Sequence, residues 1–284
     1  MAEHLKIMTL NLHTYQELNS ENFRSLDDFF EAYANVNEII ADTIKEKDLD
    51  IIFLQEAAQH KDMPVVMGNG NTNIKKYNVI LELQKLLKEK YKLGYNFIWD
   101  WSHYGWDVWE EGIGILTRFD IKKMQSCYVS SKTDKNDIFS RKVVKGVLSL
   151  PKKDLDVYSA HLNWWEKGFK EDIDNLFKWI EESDASSNFV LAGDFNNAAG
   201  GTGYNYLMTK TINGQKIIDV DFKASSDNFN RATIRGDAFN STQRIDYIIT
   251  SDKKDTKVIK SECIFATDED RVSDHMGIIA EIEI

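Results

Sequence analysis

The chain has 284 residues, of which 42% are hydrophobic and 29% charged, a balance typical of a folded protein with a sizeable core. Its 35 Lys and Arg residues face 46 Asp and Glu residues, and the net charge of −11 argues against a general nucleic-acid binder. No apolar run is long enough to span a bilayer, and the N-terminus lacks a signal-peptide pattern, so we expect a cytoplasmic protein without membrane association.

The hydrophobic pattern switches between strand-like and helix-like segments along the chain. In chain order it predicts a strand at 5–12, a helix at 29–44, a strand at 49–56, a loop at 60–73 and a helix at 77–87. Strands follow at 112–117, 143–150 and 155–162, with a loop at 130–140, and then a helix at 169–180. The remainder predicts strands at 188–193, 244–250, 257–265 and 277–284, a glycine turn at 198–203 and a loop at 224–242.

The spacing of these elements predicts the type of sheet and the domain organisation. Several pairs of strands leave no room for a helical crossover, so we expect mixed β-sheets, and a doubly wound nucleotide-binding fold fits poorly. No linker separates compositionally different halves, and no internal repeat is visible. We therefore expect one α/β domain over residues 1–284, and nothing in the sequence sets its oligomeric state.

Polar side chains stand at or near the ends of several predicted strands. They are Asn11, Glu56, His161, Asp194, Asn196, Asp246, Asp274 and His275. A single Asp or Asn at such a place is usually a turn or cap residue. A buried carboxylate is costly unless it is paired or binds a metal, so the repetition along a shared sheet edge is better explained by a common site.

The residue types in this set divide into compatible chemical roles. The oxygen donors Asn11, Glu56 and Asp274 suit a hard cation such as Mg²⁺ or Mn²⁺. A histidine beside carboxylates suits proton transfer near neutral pH. No Ser, Cys or Thr stands in an obvious nucleophile setting, which favours direct attack by water. The set predicts metal-assisted hydrolysis of a phosphoester.

The motifs around these residues resemble, in order, those of the endonuclease/exonuclease/phosphatase superfamily, which includes deoxyribonuclease I. The matching segments are TLNLH, LQE, EGIGILTR, FSRKVV, SAHL, GDFN, RIDYI and SDH, and they cover nearly the whole chain. Each segment alone is unspecific, whereas the ordered set is strong. The resemblance implies a four-layer α/β sandwich, in which two mixed β-sheets pack face to face with helices outside and the active site lies at one edge.

The resemblance also implies a role for each motif residue. Glu56 is similar to the main metal carboxylate, with Asn11 beside it and Asp274 as a further ligand on the metal side. Asp194 corresponds to the residue that orients or deprotonates the attacking water, and Asn196 to one that holds a phosphate oxygen.

The two histidine motifs imply a second group of roles. His275 resembles the histidine that contacts the scissile phosphate, with Asp246 holding its imidazole. His161 resembles the second histidine of the pair, with Glu111 as its carboxylate partner, and Arg141 resembles an arginine that contacts phosphate. The number of metals and the identity of the general base stay open.

The segment FIWDWSHYGWDVWEEG, residues 97–112, reads as a Trp-rich loop that holds four of the seven tryptophans. Trp101, Trp106 and Trp109 are interleaved with acids, which is poor core composition but suits the apolar face and the hydroxyls of a sugar. The loop, the acidic chain and the missing signal peptide resemble cytoplasmic sugar-phosphate phosphatases of Gram-positive bacteria that act on maltose 6'-phosphate. We assign substrate binding to Glu111, Arg141, Tyr104, Trp106 and Trp165.

The sequence thus predicts a Mg²⁺- or Mn²⁺-dependent phosphomonoesterase for a small sugar phosphate. A nuclease is the first alternative, and its basic residues would be Arg231, Arg235 and Arg244, which could equally grip one phosphate. A sphingomyelinase-like phosphodiesterase is the second, disfavoured because no exposed apolar hairpin is evident in the sequence. A catalytically inactive binding module is the third, disfavoured because every motif residue is present. Monoester and diester preference are not separated by the motifs.

Overall fold

The computed structural model describes residues 2–15, 25–69, 72–182, 188–235 and 243–284. Its strands are β1 (His4–Asn11), β2 (Ile51–Gln55), β3 (Gln59–His60), β4 (Val65–Asn69), β5 (Thr72–Lys75), β6 (Asn96–Gly105), β7 (Trp109–Thr117), β8 (Asp120–Tyr128), β9 (Lys142–Ser149), β10 (Asp154–His161), β11 (Phe189–Asp194), β12 (Thr211–Ile212), β13 (Gln215–Asp219), β14 (Asp246–Ser251), β15 (Lys257–Ile264) and β16 (Gly277–Glu283). The helices are α1 (Leu26–Lys47), α2 (Val79–Tyr91), α3 (Phe169–Glu182), α4 (Thr202–Leu207) and α5 (Val220–Ala224).

Most of these strands form two large mixed sheets. The first sheet has the order β15-β16-β1-β2-β7-β3, with β6 also paired to β7. The second has the order β12-β13-β14-β11-β10-β9-β8. Each sheet has a parallel pair at its centre, β1 with β2 and β10 with β11, and antiparallel neighbours on either side. Parallel neighbours end at the same edge, which is where the polar residues of the motifs stand.

The side chains of the central strands alternate between two apolar layers. In β1, Leu5 and Ile7 join the core between the two sheets, whereas Met8 and Leu10 join the core beneath α1 and α2. A third apolar cluster lies between the second sheet and α3 and α4. The order of layers is helix, sheet, sheet, helix, so the predicted four-layer α/β sandwich of two mixed sheets is confirmed.

The three predicted helices are present because their apolar faces and end signals agree. In α1, the Ser25 side chain accepts a hydrogen bond from the Asp28 N–H at the start, and Asp48 ends the helix in the left-handed conformation. Asn78 caps α2 in the same way by accepting from the Leu81 N–H. Both helices therefore begin and end within a few residues of the predicted boundaries.

The prediction was wrong for two segments that were read as loops. Residues 60–73 include the end of β3, the strand β4 and the start of β5. Gly68 and Asn69, which indicate a loop when read locally, lie in β4 and pair with Asn73 and Thr72 of β5. The Trp-rich segment 97–112 forms β6 and the start of β7, so it is a second hairpin. Strands β8, β12 and β13 were not predicted, since their apolar residues are few. The predicted loop 224–242 is described only to residue 235, and its last part lies outside the described residues.

The hairpin β4–β5 carries an exposed apolar patch, formed by Val65, Val66 and Met67 at 53%, 51% and 41% exposure. The expectation that no such hairpin exists was therefore wrong. Among the described residues, no helix is both long and apolar enough to cross a membrane.

Candidate active site

The ends of the central strands bring polar residues from both sheets together. Asn11 ends β1, and Asp194 ends β11 opposite the neighbouring strand ends. The Asn11 amide donates to Glu56 Oε1 at 2.9 Å and to Asp194 Oδ2 at 3.0 Å. Because Glu56 follows β2 of the first sheet and Asp194 belongs to the second, this one amide joins the two sheets at the edge. Its oxygen accepts from the His13 N–H at 3.0 Å.

Unusual backbone conformations aim the side chains at this edge. Gly193 has φ +151°, and a Cβ there would lie 1.9 Å from the Ala160 carbonyl oxygen, so only glycine fits directly before Asp194. His13, Glu56 and Asn196 have φ +44°, +47° and +52°, a region that side chains other than glycine rarely adopt. Such strain is typical of functional sites, where the surrounding structure holds it in place.

His275 and Asp246 form a buried pair at the edge of the second sheet. His275 Nδ1 lies 3.0 Å from Asp246 Oδ2, and His275 Nε2 lies 3.7 Å from Asp194 Oδ2. Burial would lower the pKa of His275, but the Asp246 carboxylate outweighs it and raises the pKa to about 10. Burial and the negative charge of Asp246 raise the pKa of Asp194 to about 7. The pair therefore presents an imidazolium beside a carboxyl group that titrates near neutrality.

His161 is held by Arg141 and not by a carboxylate. Arg141 Nη1 lies 3.2 Å from His161 Nδ1, and because a guanidinium only donates, Nδ1 accepts and the imidazole proton sits on Nε2. Burial and the charge of Arg141 keep the pKa of His161 well below its usual value. Asn163 accepts from Arg141 Nε at 3.1 Å and fixes the guanidinium. His161 thus offers a neutral ring whose Nε2 lies 3.6 Å from Asp194 Oδ2.

Glu111 lies closer to His103 than to His161. Its Oε1 is 3.2 Å from His103 Nε2 and 3.9 Å from His161 Nδ1. Burial would raise the pKa of Glu111, but the hydrogen bond and charge of His103 outweigh it and lower the pKa. The carboxylate expected to hold His161 therefore pairs with a second histidine instead.

Two groups of side chains have the types and spacing for a cation. Glu56, Glu111 and His161 bring ligand atoms within 4.8 Å of one another, as do Asp194, Asp246 and His275. Burial and the negative charge of Glu111 raise the pKa of Glu56 to about 7. A divalent cation would supply the positive charge that the Glu56–Glu111 pair lacks. The carboxylate oxygens suit Mg²⁺ or Mn²⁺.

The predicted metal set was Asn11, Glu56 and Asp274, and the structure places its three members differently. Asp274 lies on the pocket wall, with its Oδ1 3.5 Å from His13 Nδ1. Asn11 turns its amide nitrogen, which cannot bind a cation, towards the carboxylates. Of the three, only Glu56 belongs to one of the two groups above.

These side chains surround one pocket of about 420 Å³, a size usual for a small-molecule site. Its lining consists of His13, Glu56, His103, Gly105, Trp106, Glu111, Ile138, Arg141, His161, Trp164, Asp194, Asn196, Ile234, Asp274 and His275. His103, His161, His275, Arg141 and Asp194 are buried, whereas Glu56, Glu111 and Asp274 are partly exposed. Trp106 and Ile138 are 74% and 52% exposed, and they form its rim.

Comparison with known proteins decides the family. The family model described as Endonuclease/Exonuclease/phosphatase family matches residues 32–275, most of the chain. The protein belongs to this family. Members of the family are hydrolases that act on phosphoester bonds, and they generally depend on a divalent metal. No curated protein matches the chain in sequence.

Solved structures with the same fold support the assignment. A family protein from Leptotrichia buccalis is 26% identical, with a TM-score of 0.80 over 99% of this chain and 100% of that one. A mannosyl-6-phosphatase from Bacteroides thetaiotaomicron is 18% identical, with a TM-score of 0.66 over 98% and 99% of the two chains. TDP2 of D. rerio bound to a single-stranded DNA product is 18% identical, with a TM-score of 0.64 over 99% of each. At this identity the last two show the fold alone.

In this family member, the predicted aromatic residues separate into two groups. Trp106 lies at the pocket rim, at the turn of the β6–β7 hairpin. Tyr104 packs beside Trp101 against the helix-side core, and Trp165 packs against Phe169 and Tyr206, so neither lines the pocket.

The expectation that Trp101 and Trp109 avoid the core was wrong, since they are 7% and 6% exposed. The acids that flank them, Asp100 and Glu110, do not prevent burial, because each has a cationic partner. Asp100 lies 2.8 Å from Lys142 Nζ, and Glu110 lies 2.5 Å from Lys75 Nζ. Paired acids of this kind are compatible with a buried hairpin.

Several pocket residues were not assigned to the site from the sequence, namely His13, His103, Gly105, Ile138, Trp164 and Ile234. Two of them carried a usable signal. His13 follows Asn11 by two residues in the motif TLNLH, and Trp164 follows His161 by three, so both stand within a few residues of a motif residue. The others come from segments whose approach to the pocket depends on the packing of the two sheets.

The arginines suggested for nucleic-acid binding have structural partners instead. Arg244 is fully buried and donates to Asp219 at 2.6 Å. Arg231 pairs with Asp221. Arg235 donates to the carbonyl oxygens of Phe265 and Thr267. None of the three lines the pocket, so they form no basic groove in the described part of the chain.

Proposed function

We propose that this protein is a divalent-metal-dependent phosphomonoesterase that releases phosphate from a small sugar phosphate, of the disaccharide 6-phosphate type. The observation that carries the proposal is the form of the pocket. Its buried and partly exposed lining holds carboxylates, imidazoles and one arginine, and its exposed rim holds an indole and an aliphatic side chain. A phosphate suits the first part, and the apolar face of a sugar ring suits the second.

The carboxylates Glu56 and Glu111, which belong to one of the two candidate groups, would hold the divalent cation. When bound, the cation neutralises phosphate charge and polarises the ester for attack. Mg²⁺ keeps several of its own waters and needs few protein ligands, which fits this small set. Asn11 orients Glu56 and Asp194 through its two hydrogen bonds.

The side chains around the cation divide the proton transfers of hydrolysis between them. Asp194 accepts the proton of the attacking water, since its pKa of about 7 makes it an effective base near neutrality. The imidazolium of His275 and the Nε2–H of His161 donate hydrogen bonds to phosphate oxygens. Arg141 adds positive charge beside His161. Water forms the new P–O bond while the bond to the sugar oxygen breaks, and this oxygen leaves as the alcohol with the proton that Asp194 took from the water.

The pocket favours a small substrate over a nucleic-acid strand. Among the pocket residues in the described part of the chain, Arg141 is the single lysine or arginine, beside four carboxylates. A nuclease needs a row of cations along the phosphate backbone, and this lining would repel one. The likeness in fold to a mannosyl-6-phosphatase supports a sugar phosphate, and that to a DNA-bound protein keeps a nuclease as the alternative.

The exposed patch on β4 makes a sphingomyelinase-like activity the other alternative, but its position argues against it. Met67 shares a surface hollow with Asn96 at the start of β6, whereas the pocket includes Gly105 at the end of β6. A ten-residue strand separates these ends by about 30 Å. A membrane bound at Met67 would therefore not face the pocket.

A phosphate-release screen tests the proposal. Purified protein with Mg²⁺ is incubated with disaccharide and monosaccharide phosphates, inositides, nucleotides, sphingomyelin and plasmid DNA. We expect inorganic phosphate from the sugar phosphates, and its loss in His275→Ala and Asp194→Asn with little change in circular dichroism. Cleavage of DNA without phosphate release from any sugar phosphate would refute the proposal.

A further inference from the structure

His103 occupies an unusual place in the pocket wall. The pairing of β6 with β7 is irregular between Trp101 and His103, and this bulge sets His103 directly opposite Glu111. The imidazole is 3% exposed, yet it reaches the pocket. It belongs to none of the motifs that carry the family resemblance, so its position needs a separate explanation.

Both nitrogens of the His103 ring have polar neighbours. Nε2 lies 3.2 Å from Glu111 Oε1, and because a carboxylate only accepts, Nε2 donates. Nδ1 lies 2.9 Å from Ser102 Oγ and 3.1 Å from the Ser140 carbonyl oxygen. The ring cannot rotate without breaking contacts on both sides, and a buried polar group left without its partner is costly.

The two sides of the ring lead to two different residues of the site. Glu111 stands on β7 in the first sheet. Ser140 directly precedes Arg141, which lies just before β9 of the second sheet and holds His161. A single imidazole therefore joins the Glu111 carboxylate to the backbone that positions Arg141, across the edge where the two sheets meet.

The other Glu111 oxygen is also confined. A Cβ at Gly105 would lie 2.6 Å from Glu111 Oε2, so the absence of a side chain there makes room for the carboxylate. Glu111 thus has His103 against one oxygen and Gly105 beside the other. This confinement matters because Glu56 lies close by and repels Glu111, and without the hydrogen bond the two carboxylates would separate.

We propose that His103 is a positioning residue, which holds Glu111 towards the pocket and ties it to Arg141. It acts through these two groups and does not contact the substrate. The inference rests on the proposed phosphoesterase activity for its kinetic consequences, but the geometry that it asserts is independent of substrate.

Two substitutions separate the two sides of the ring. In His103→Gln the side-chain amide reaches about as far as Nε2 and can still donate to Glu111. In His103→Asn the shorter amide reaches only the Nδ1 side and loses Glu111. With p-nitrophenyl phosphate and Mg²⁺, we expect His103→Asn to lower kcat about 10–100-fold, as for other hydrogen-bond partners of active-site ligands, and His103→Gln to keep most of it. Equal losses in both variants would overturn the proposal.

A double-variant cycle tests whether His103 acts through Glu111. If it does, His103→Asn costs no further kcat once Glu111→Ala has been introduced, because alanine has no oxygen to accept the hydrogen bond and the interaction is already lost. Multiplying losses would show an independent role and contradict the proposal. Gly105→Ala displaces Glu111 from its other side without altering His103 and should lower kcat similarly. Gly94→Ala, where an added Cβ meets no atom within 4 Å, is the matched control.

Crystal structures of the variants make the test independent of activity. We expect the Glu111 carboxylate to move in His103→Asn and to stay in place in His103→Gln. An unmoved Glu111 in His103→Asn would overturn the inference. A wild-type protein that hydrolyses no phosphoester would refute the proposed function, while these structures would still decide the role of His103.

Discussion

Two aromatic side chains that line the pocket, Trp106 and Trp164, are the residues that we propose contact the substrate. Trp106 is 74% exposed on a tight turn, and both Trp106 and Asp107 have positive φ, as type I′ turns require. Because the Trp106 indole is mostly in contact with solvent, packing against the protein does not explain this strained turn. Trp164 is half-buried on the opposite sheet, and its ring lies 5.6 Å from the Arg141 guanidinium carbon. The two rings frame the entrance from different sheets.

Substitution of these rings should affect binding of a sugar substrate. We expect Trp106→Ala and Trp164→Ala to raise KM about 10-fold, equivalent to about 1.4 kcal/mol of binding, because each removes an aromatic face. Trp165→Ala is the control, since Trp165 packs against Phe169 and Tyr206. It should lower the melting temperature and leave KM unchanged. Initial rates across a series of sugar phosphates measure the effect, and an unchanged KM in Trp106→Ala would remove this ring from the substrate site.

The sequence identified the charged residues of the site better than the aromatic ones. Motif residues such as Glu56, Asp194 and His275 stand at strand ends, and any sheet gathers strand ends along an edge. Whether an aromatic residue reaches the same edge depends on turn geometry and on the face of the element. This is why Trp164 lines the pocket and its neighbour Trp165 does not.

At the scale of elements, the parallel strands β10 and β11 position the central residues of the site. Its register sets His161 opposite Asp194, and the antiparallel neighbour β14 sets Asp246 opposite Asp194 as well. Gly193 allows this register, because its φ of +151° and the close Ala160 carbonyl exclude a side chain. The position of three reactive groups therefore depends on one glycine.

Gly193→Ala should damage both stability and activity. We expect the free energy of unfolding to fall by at least about 2 kcal/mol, because the conformation is strained for alanine and the Cβ overlaps the Ala160 carbonyl. Urea unfolding followed by circular dichroism measures the change, with phosphate release measured alongside. Gly94→Ala is the matched control and should be close to neutral. A fully stable and active Gly193→Ala protein would contradict this account of the strand end.

The elements that the sequence failed to predict share a cause. Segments 60–73 and 97–112 contain Gly, Asn and acids, which indicate loops when read locally. In the structure, Asp100 forms an ion pair with Lys142 on β9, and Glu110 forms one with Lys75 on β5. These partners are distant in sequence, so local pattern does not reveal that the acids are neutralised. Strongly apolar strands and capped helices were predicted because their signals are local.

At the scale of the whole molecule, the packing of the two sheets concentrates negative charge at one edge. Burial raises the pKa of Glu56 and Asp194 to about 7, and the pKa of His275 is raised to about 10. In each case the folded protein holds a proton that the unfolded chain has released. For Glu56 and Asp194, the difference in bound protons appears between the ordinary carboxyl pKa and about pH 7. For His275, it appears between the ordinary histidine pKa and about pH 10. Stability from these groups is therefore lost as pH rises.

Metal-free protein should accordingly be less stable at pH 8.5 than at pH 6. We expect its melting temperature to fall by several degrees over this range, and Mg²⁺ to restore more stability at pH 8.5, because the cation binds ionised carboxylates. Calorimetry with and without chelator measures both effects. Asp194→Asn should show a weaker dependence on pH. A metal-free protein that gains stability with rising pH, or equal protection by Mg²⁺ at both pH values, would contradict this assignment of charge.

The four-layer arrangement was predicted through the family resemblance, whereas the residue pattern by itself predicted mixed β-sheets, most of the central strands, the three long helices and polar residues at the strand ends. These follow from local signals, namely hydrophobic period, caps and polar residues at strand ends. The tertiary structure decided that Arg141 and not Glu111 holds His161, that His103 faces Glu111, and that Trp106 and Trp164 frame the pocket. The reason is physical: each of these contacts joins residues that are distant in sequence, and it exists only once the two sheets have packed against each other.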